Sequence, residues 1–242
     1  MVNLAQLIYI VQEEANVVLK KSEELEFVGH CLSMADKTQS QSYQDVFALY
    51  ETKYKKGGYF VEFGAADGMA ISNTFLLEKK FGWKGIVAEP NPHWHDVLIK
   101  NRICHISKDC VYYETGKQVE FIASENPDIA GIKEFGSKDE HTENRNRGET
   151  ILVPTISLVD LLTKYNAPNE IDYLSIDTEG SEYVILKAFF DAPKNYKINN
   201  ITVEHNFIDS ERSALFDLLS QNGYKRKFDV FSRWDDFYTR IM

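Results

Sequence analysis

Three cysteines in 242 residues, Cys31, Cys104 and Cys110, are too few and too odd in number for a disulfide framework, and none forms a C-x-x-C pair. Sparse thiols of this kind fit a reducing, cytoplasmic compartment, with the cysteines as core residues. Positive charge is also short: 27 lysines and arginines stand against 37 aspartates and glutamates, for a formal net charge of −10. Proteins that grip a phosphate backbone carry clustered basic residues to displace counterions, so nucleic acid is not an expected partner. Long apolar runs are missing as well. "LIYIV", near the start, is followed by Glu13 and Glu14 rather than by a small-residue cleavage site, so neither a membrane span nor export is expected. The sequence also contains no G-x-G-x-x-G. After "YFVEF" the turn reads "GAADG", with Ala66 where a second glycine would let the backbone approach a pyrophosphate, which weakens a dinucleotide reading.

What is present is the composition of a soluble globular protein, 43% hydrophobic and 26% charged, long enough for one α/β domain with terminal elaboration. Leu4, Leu7, Ile8, Val11 and Val18 predict a helix over 4–19 with one apolar face. That face needs a partner: its own domain, or alternatively a second subunit or a neighbouring domain. Residues 20–57 read as helical and polar. Beyond them strands and helices alternate, the pattern of parallel strands joined by crossover helices. Strands are expected at 58–64, 85–90, 109–113, 119–124, 171–177 and 200–206, with a closing pair from "YKRKFDVF" and "DDFYTR" and a helix at 74–81. Ser157 is placed to cap a helix running through Tyr165, and Gly223 to stop one that begins near Ser210. The polar, turn-rich stretch from Ser124 to Thr150 reads as a long loop, either a solvated insertion or a lid over a site.

Ligands of open α/β sheets bind outside the carboxyl ends of the strands, so Glu62, Glu89, Asp177 and Glu204, each at or near such an end, are expected to converge on one crevice. Carboxylates suit a cofactor with an ammonium group, a ribose and a positive centre, such as S-adenosyl-L-methionine. Glu62 and Asp67 are placed to take the ammonium group, Gly64 and Gly68 allow close backbone approach, and Glu89 is placed to accept the ribose hydroxyls. A glycine turn followed by a distant acid is shared with nicotinamide enzymes, and that alternative stays open on these residues alone. In "TVEHN", His205 stands beside Glu204 at a strand end and is the first candidate for general base. Asp177, Glu204 and His205 also occupy strand ends suited to a divalent metal, although histidine is a poor ligand for magnesium and favours manganese or zinc. The alternating histidines of "HWH" supply two ligands, which do not make a metal site. Glu182 is assigned to the first turn of the helix after "SID", where negative charge meets the helix dipole favourably, and the same reading stays open for Glu179.

In order and spacing, "QSYQDVF", "GGYFVEFGAADG", "SNT", "GWKGIVAEPNP", "NR", "VPTISLVDLL" and "IDYLSIDTEGSEYVIL" resemble the FkbM family of S-adenosylmethionine-dependent methyltransferases. The resemblance runs from about Ser40 to the C-terminus, and this divides the chain into an N-terminal helical extension, 1–39, and a methyltransferase domain, 40–242. It implies a class I methyltransferase, Rossmann-like fold: a seven-stranded, mostly parallel sheet with helices on both faces and an antiparallel seventh strand beside the sixth. It further implies cofactor contacts at Glu62, Gly64, Ala65, Asp67, Ser72, Asn73, Glu89 and Pro90, with Asp109 and Cys110 near the adenine and Asp177 next to the transferred methyl group. The implied activity is O-methylation of a sugar hydroxyl on a glycan or glycoconjugate, with Asp177, Glu204 and His205 as the catalytic set. The alternatives are O-methylation of a small natural product, or a noncatalytic cofactor-binding module that docks through its N-terminal helix onto a glycan-building assembly.

Overall fold

A computed structural model of the chain describes residues 23–124, 126, 130–135, 148–193 and 195–241. The helix expected over 4–19 and most of the 124–150 loop lie outside the described residues. Two helices, α1 (Glu23–Met34) and α2 (Gln44–Glu51), precede the sheet. Then follow β1 (Tyr59–Phe63), α3 (Phe75–Phe81), β2 (Lys84–Ala88), α4 (His95–Asn101), β3 (His105–Ser107), β4 (Cys110–Tyr112), β5 (Gln118–Ala123), β6 (Gly131–Ile132) and β7 (Glu149–Ser157). The chain continues with α5 (Leu158–Lys164), β8 (Glu170–Ile176), α6 (Glu182–Asp191), β9 (Lys197–Glu204), α7 (Asp209–Gln221), β10 (Tyr224–Lys227) and β11 (Asp235–Arg240).

Among the described residues the main sheet has seven strands in the order β10-β11-β9-β8-β1-β2-β3. Pairing is parallel from β3 through β9, and β11 lies antiparallel between β9 and β10. This is the α/β arrangement that the family resemblance implies. A second sheet, in the order β4-β7-β5-β6, stands beside it. The 109–113 strand therefore belongs to this smaller sheet, paired with β7, and the third main-sheet strand is His105–Ser107. A strand of three residues, two of them polar, carries too little apolar periodicity to be read from sequence. The described part of the 124–150 stretch is not all loop, since Gly131–Ile132 pairs with β5.

The period of two along β1 separates two cores. Val61 and Phe63 face α5, α6 and α7 through Leu158, Leu161, Ile185, Leu186, Leu215 and Leu219. Phe60 faces the opposite layer, where α1 to α4 contribute Phe27, Val46, Phe47, Leu76, Leu77 and Leu98. In that layer Phe27 of α1 stacks on Phe228 with ring centroids 4.3 Å apart. Its full burial is worth roughly 2–3 kcal/mol. Ser157 accepts a hydrogen bond from the Asp160 N–H at 3.1 Å and starts α5. Gly223, at φ +83°, follows the end of α7, where a side chain would be strained.

Candidate active site

A crevice opens at the carboxyl ends of β1, β2, β8 and β9. Phe63 and Gly64 at the end of β1, Glu89 and Pro90 after β2, and Asp177, Thr178 and Glu179 after β8 line it, with Glu204 ending β9. The smaller sheet adds an apolar wall of Cys110, Val111, Phe121 and Ile132, and Trp94 closes another side. Gly64 takes φ +72°, and a Cβ there would lie 1.9 Å from the Asp177 carbonyl oxygen, so only glycine lets these two strand ends meet. Ala66 also adopts a left-handed φ of 44°, at a cost of about 1–2 kcal/mol. That conformation aims its N–H at Glu89 Oε2, 2.8 Å away, while the Asn91 N–H reaches Glu89 Oε1 at 2.8 Å. The alanine in place of the usual glycine is thus accommodated by a backbone bond to a buried acid.

Among the described residues four carboxylates line the crevice, Glu89, Asp177, Glu179 and Glu204, and no lysine, arginine or histidine does. Burial pushes Glu89 up to about 7, against the opposing effect of the two backbone donors. Burial, followed by the charges of Asp177, Glu179, Glu182 and Asp235, holds Glu204 well above the usual carboxylate range. Asp235, on β11 opposite Glu204, rises to about 8 through burial and then the Asp177 charge. Glu204 Oε2 and Trp94 Nε1 are buried without a hydrogen-bond partner among the described residues.

Of the residues expected at the site, Gly64, Glu89, Pro90, Cys110, Asp177 and Glu204 meet here; Glu62, Ala65, Asp67, Ser72, Asn73, Asp109 and His205 are not in the lining. Glu62 turns to the opposite face of β1. Its carboxylate accepts from the Asn73 N–H at 2.7 Å, the Thr74 hydroxyl at 2.5 Å, the Ser72 hydroxyl at 3.1 Å and Arg102 Nη1 at 3.2 Å. Arg102 also binds Glu78, and its side chain is fully buried. The charge set inside an apolar strand is therefore the counterion of a buried arginine and the anchor of the "SNT" turn. Ser72 Oγ in addition accepts the Phe75 N–H at 3.1 Å, which fixes the start of α3. Asp67 Oδ1 accepts from the Met69 and Ala70 amides, both at 2.8 Å, and Asp109 pairs with Lys164 at 2.6 Å.

His205 is buried, with Nδ1 accepting the Phe207 N–H at 3.2 Å and Nε2 standing 3.8 Å from Asp236 Oδ1. Burial lowers its pKa, opposed by the Asp236 charge. It supports the turn after β9 and does not face the crevice. Glu179, for which the sequence leaves a place in the helix turn open, lies in the lining at a left-handed φ of 60°, and its Oε2 accepts from Asn206 Nδ2 at 3.3 Å. Glu182 does open α6, and its Oε1 accepts from the Thr178 and Gly180 amides at 2.9 and 3.1 Å. Of the apolar wall, Phe121 lies in the expected 119–124 strand and Ile132 in the stretch read as loop, so neither is marked in the sequence as a site residue.

Residues 62–226 match the family described as the Methyltransferase FkbM domain. The chain belongs to that family. No curated protein matches it. Among solved structures it is similar to a methyltransferase from Pyrococcus furiosus, with 12% identity, 82% of this chain and 81% of that chain covered and a TM-score of 0.40. It is also similar to the O-methyltransferase from Bacillus cereus in complex with SAH, with 12% identity, 95% and 96% of the two chains covered and a TM-score of 0.42. The crevice of this FkbM-domain methyltransferase sits at the strand ends where the fold class binds its ligands. Among the described residues no helix is long and apolar enough to cross a membrane.

Proposed function

We propose that the chain is an S-adenosyl-L-methionine-dependent O-methyltransferase whose acceptor is a sugar hydroxyl of a glycan or glycoconjugate. The observation that carries the reading is a crevice lined, among the described residues, by four carboxylates and no basic residue, within a methyltransferase family domain. Such a lining repels a pyrophosphate and attracts a cationic cofactor. The residues fit the cofactor: Glu89, held by two backbone amides, keeps lone pairs for ribose hydroxyls, and the apolar wall of Val111, Phe121 and Ile132 suits a purine. The unpartnered Trp94 Nε1 offers a donor that a bound ligand would satisfy.

When bound, this cofactor supplies a methyl group on a sulfonium, which is transferred by in-line displacement. The residues of the chain have to orient the acceptor oxygen, exclude water and remove a proton. Asp177 and Glu204 at the acidic end of the crevice are assigned that work, with His205 as a positioning residue beneath the same turn. Calorimetry with S-adenosylhomocysteine tests the cofactor: one site is expected, weakened at least tenfold in Glu89→Ala. Incubation with methyl-labelled donor and a glycan panel tests the acceptor, with label expected on a sugar oxygen. No binding of S-adenosylhomocysteine at millimolar ligand removes the reading, and binding without transfer to any glycan favours the noncatalytic module.

A further inference from the structure

We propose that Gln41 binds the carboxylate at the amino-acid end of the cofactor and so sets a preference for the intact molecule. The inference rests on the methyl-transfer reading above. Gln41 and Ile71 both line the crevice, and an isolated parallel bridge between Ser40 and Ile71 joins the segment before α2 to the turn after β1. That segment is locked from within. Asp45 Oδ1 accepts from the Thr38 and Ser40 hydroxyls at 2.6 and 2.7 Å and from the Val46 N–H at 2.7 Å. Gln44 Oε1 accepts from the Ser42 N–H at 2.8 Å, and its Nε2 donates at 2.8 Å to Asp235, which lies opposite Glu204 on β11. Ser42, Gln44 and Asp45 are buried, whereas Gln41 beside them is exposed. Ile71 is held at a left-handed φ of 57°, a costly conformation for a β-branched residue that persists where the surrounding structure imposes it, as at ligand clamps. The neighbouring polar groups hold the segment together; Gln41 is presented to the crevice.

The crevice has two chemically different sides. The smaller sheet supplies the apolar wall that suits the purine, and Glu89 supplies acceptors that suit the ribose. Gln41 comes from the other core: its neighbour Tyr43 packs with Phe27 and Phe47 in the layer of α1 to α4, whereas Val111 of the wall belongs with Val61 and Ile156. That leaves the side of Gln41 and Ile71 for the amino-acid end, which carries an ammonium group and a carboxylate. An ionised acid accepts hydrogen bonds and donates none, so the acids of the lining can take the ammonium and cannot take the carboxylate. The carboxylate needs N–H or O–H donors. Among the described lining residues, the Thr178 hydroxyl already donates to Glu182 and that of Ser181 to Thr178, both at 2.9 Å. Trp94 follows β2, on the Glu89 side. The Gln41 amide carries two N–H donors and no charge, so it can donate to the carboxylate without forming an ion pair with the acids around it.

The test is calorimetry of the full chain with S-adenosylhomocysteine and with 5′-methylthioadenosine, which keeps the adenosine and the thioether and lacks the amino-acid end. Wild type, Gln41→Ala and Gln41→Glu are compared, and melting followed by circular dichroism confirms folding, which an exposed residue is not expected to disturb. Loss of a hydrogen bond to a charged group predicts S-adenosylhomocysteine binding weakened roughly tenfold or more in both variants, with 5′-methylthioadenosine within about twofold of wild type. Unchanged affinity for S-adenosylhomocysteine overturns the assignment. Equal weakening of both ligands also overturns it, since Gln41 would then only shape the crevice wall. Should 5′-methylthioadenosine bind too weakly to measure, Gln41→Glu decides: it keeps the size of the side chain and loses the amide donors, so wild-type affinity in that variant sinks the proposal and a tenfold loss upholds it. Wild-type and variant chains that bind S-adenosylhomocysteine equally leave methyl transfer standing and remove Gln41 alone; a wild type that binds neither ligand removes both.

Discussion

Arg102 is the residue whose replacement tests the account of Glu62 most directly. Its side chain is fully buried, as are those of its partners Glu62 and Glu78, at 3% and 1% exposure. It also donates to the Thr74 hydroxyl at 2.8 Å and the Gly68 carbonyl at 3.2 Å. Arg102→Met keeps most of the aliphatic stem, which lies against Leu98 beneath Gly68 and carries the guanidinium 5.3 Å from the Phe60 ring centroid, while removing the charge. Removing one partner of a buried pair costs about 3–5 kcal/mol, because the other charge remains without compensation. Here two carboxylates are left behind, which argues for the upper end, about 5 kcal/mol. With a urea m-value of about 2 kcal/mol/M the unfolding midpoint falls by roughly 2.5 M. That is a large share of the 5–15 kcal/mol typical of a domain. Urea unfolding followed by tryptophan fluorescence measures it. Glu62→Gln combined with Arg102→Met is expected to recover at least about 1 kcal/mol relative to the sum of the single effects. A loss below about 1 kcal/mol in Arg102→Met would refute the buried-counterion account. So would a Glu62→Gln variant of unchanged stability that no longer binds S-adenosylhomocysteine, since that result returns Glu62 to the cofactor.

Two further outcomes are expected. Burial pushes the Asp45 carboxyl up to about 6 from 3.8, so the folded chain holds a proton that the unfolded chain has released. This group's contribution to stability is complete below about pH 4 and is lost as pH rises to about 6, a change of about 3 kcal/mol at 1.36 kcal/mol per pKa unit. Asp45 Oδ1 accepts from Thr38, Ser40 and the Val46 N–H, whereas Oδ2 has no partner among the described residues, so asparagine preserves the bonds. Asp45→Asn should therefore gain up to about 3 kcal/mol at pH 7 and almost nothing at pH 4; equal effects at the two pH values count against it. Gly64→Ala combines a left-handed backbone with a Cβ placed 1.9 Å from the Asp177 carbonyl. A loss of at least about 2 kcal/mol is expected, with S-adenosylhomocysteine affinity falling as Asp177 is displaced, and an unperturbed variant in both assays would show that the strand ends have slack.

Much of the architecture was legible because it rests on local chemistry. The apolar runs of β1, β2, β8 and β9, the cap at Ser157 and the stop at Gly223 are written in periods and single residues. The strand-end acids Glu89, Asp177 and Glu204 could likewise be placed, since a parallel sheet brings its carboxyl ends to one rim. The second sheet was harder, since β7 contains Pro154, and so was the edge of the main sheet, where β3 is three residues long; neither advertises a strand. Only tertiary structure decided which acids face the crevice. Glu62 and Glu89 look alike in sequence, each a lone acid at the end of an apolar strand, yet one is claimed by Arg102, forty positions away, and the other by the crevice. Alternation fixes that Glu62 lies on the face opposite Phe63, but what packs on that face is a long-range fact. The same holds for Glu179 and His205: a left-handed turn carries one into the crevice and the other is buried beside Asp236 outside the lining, because packing acts between residues that sequence proximity does not relate.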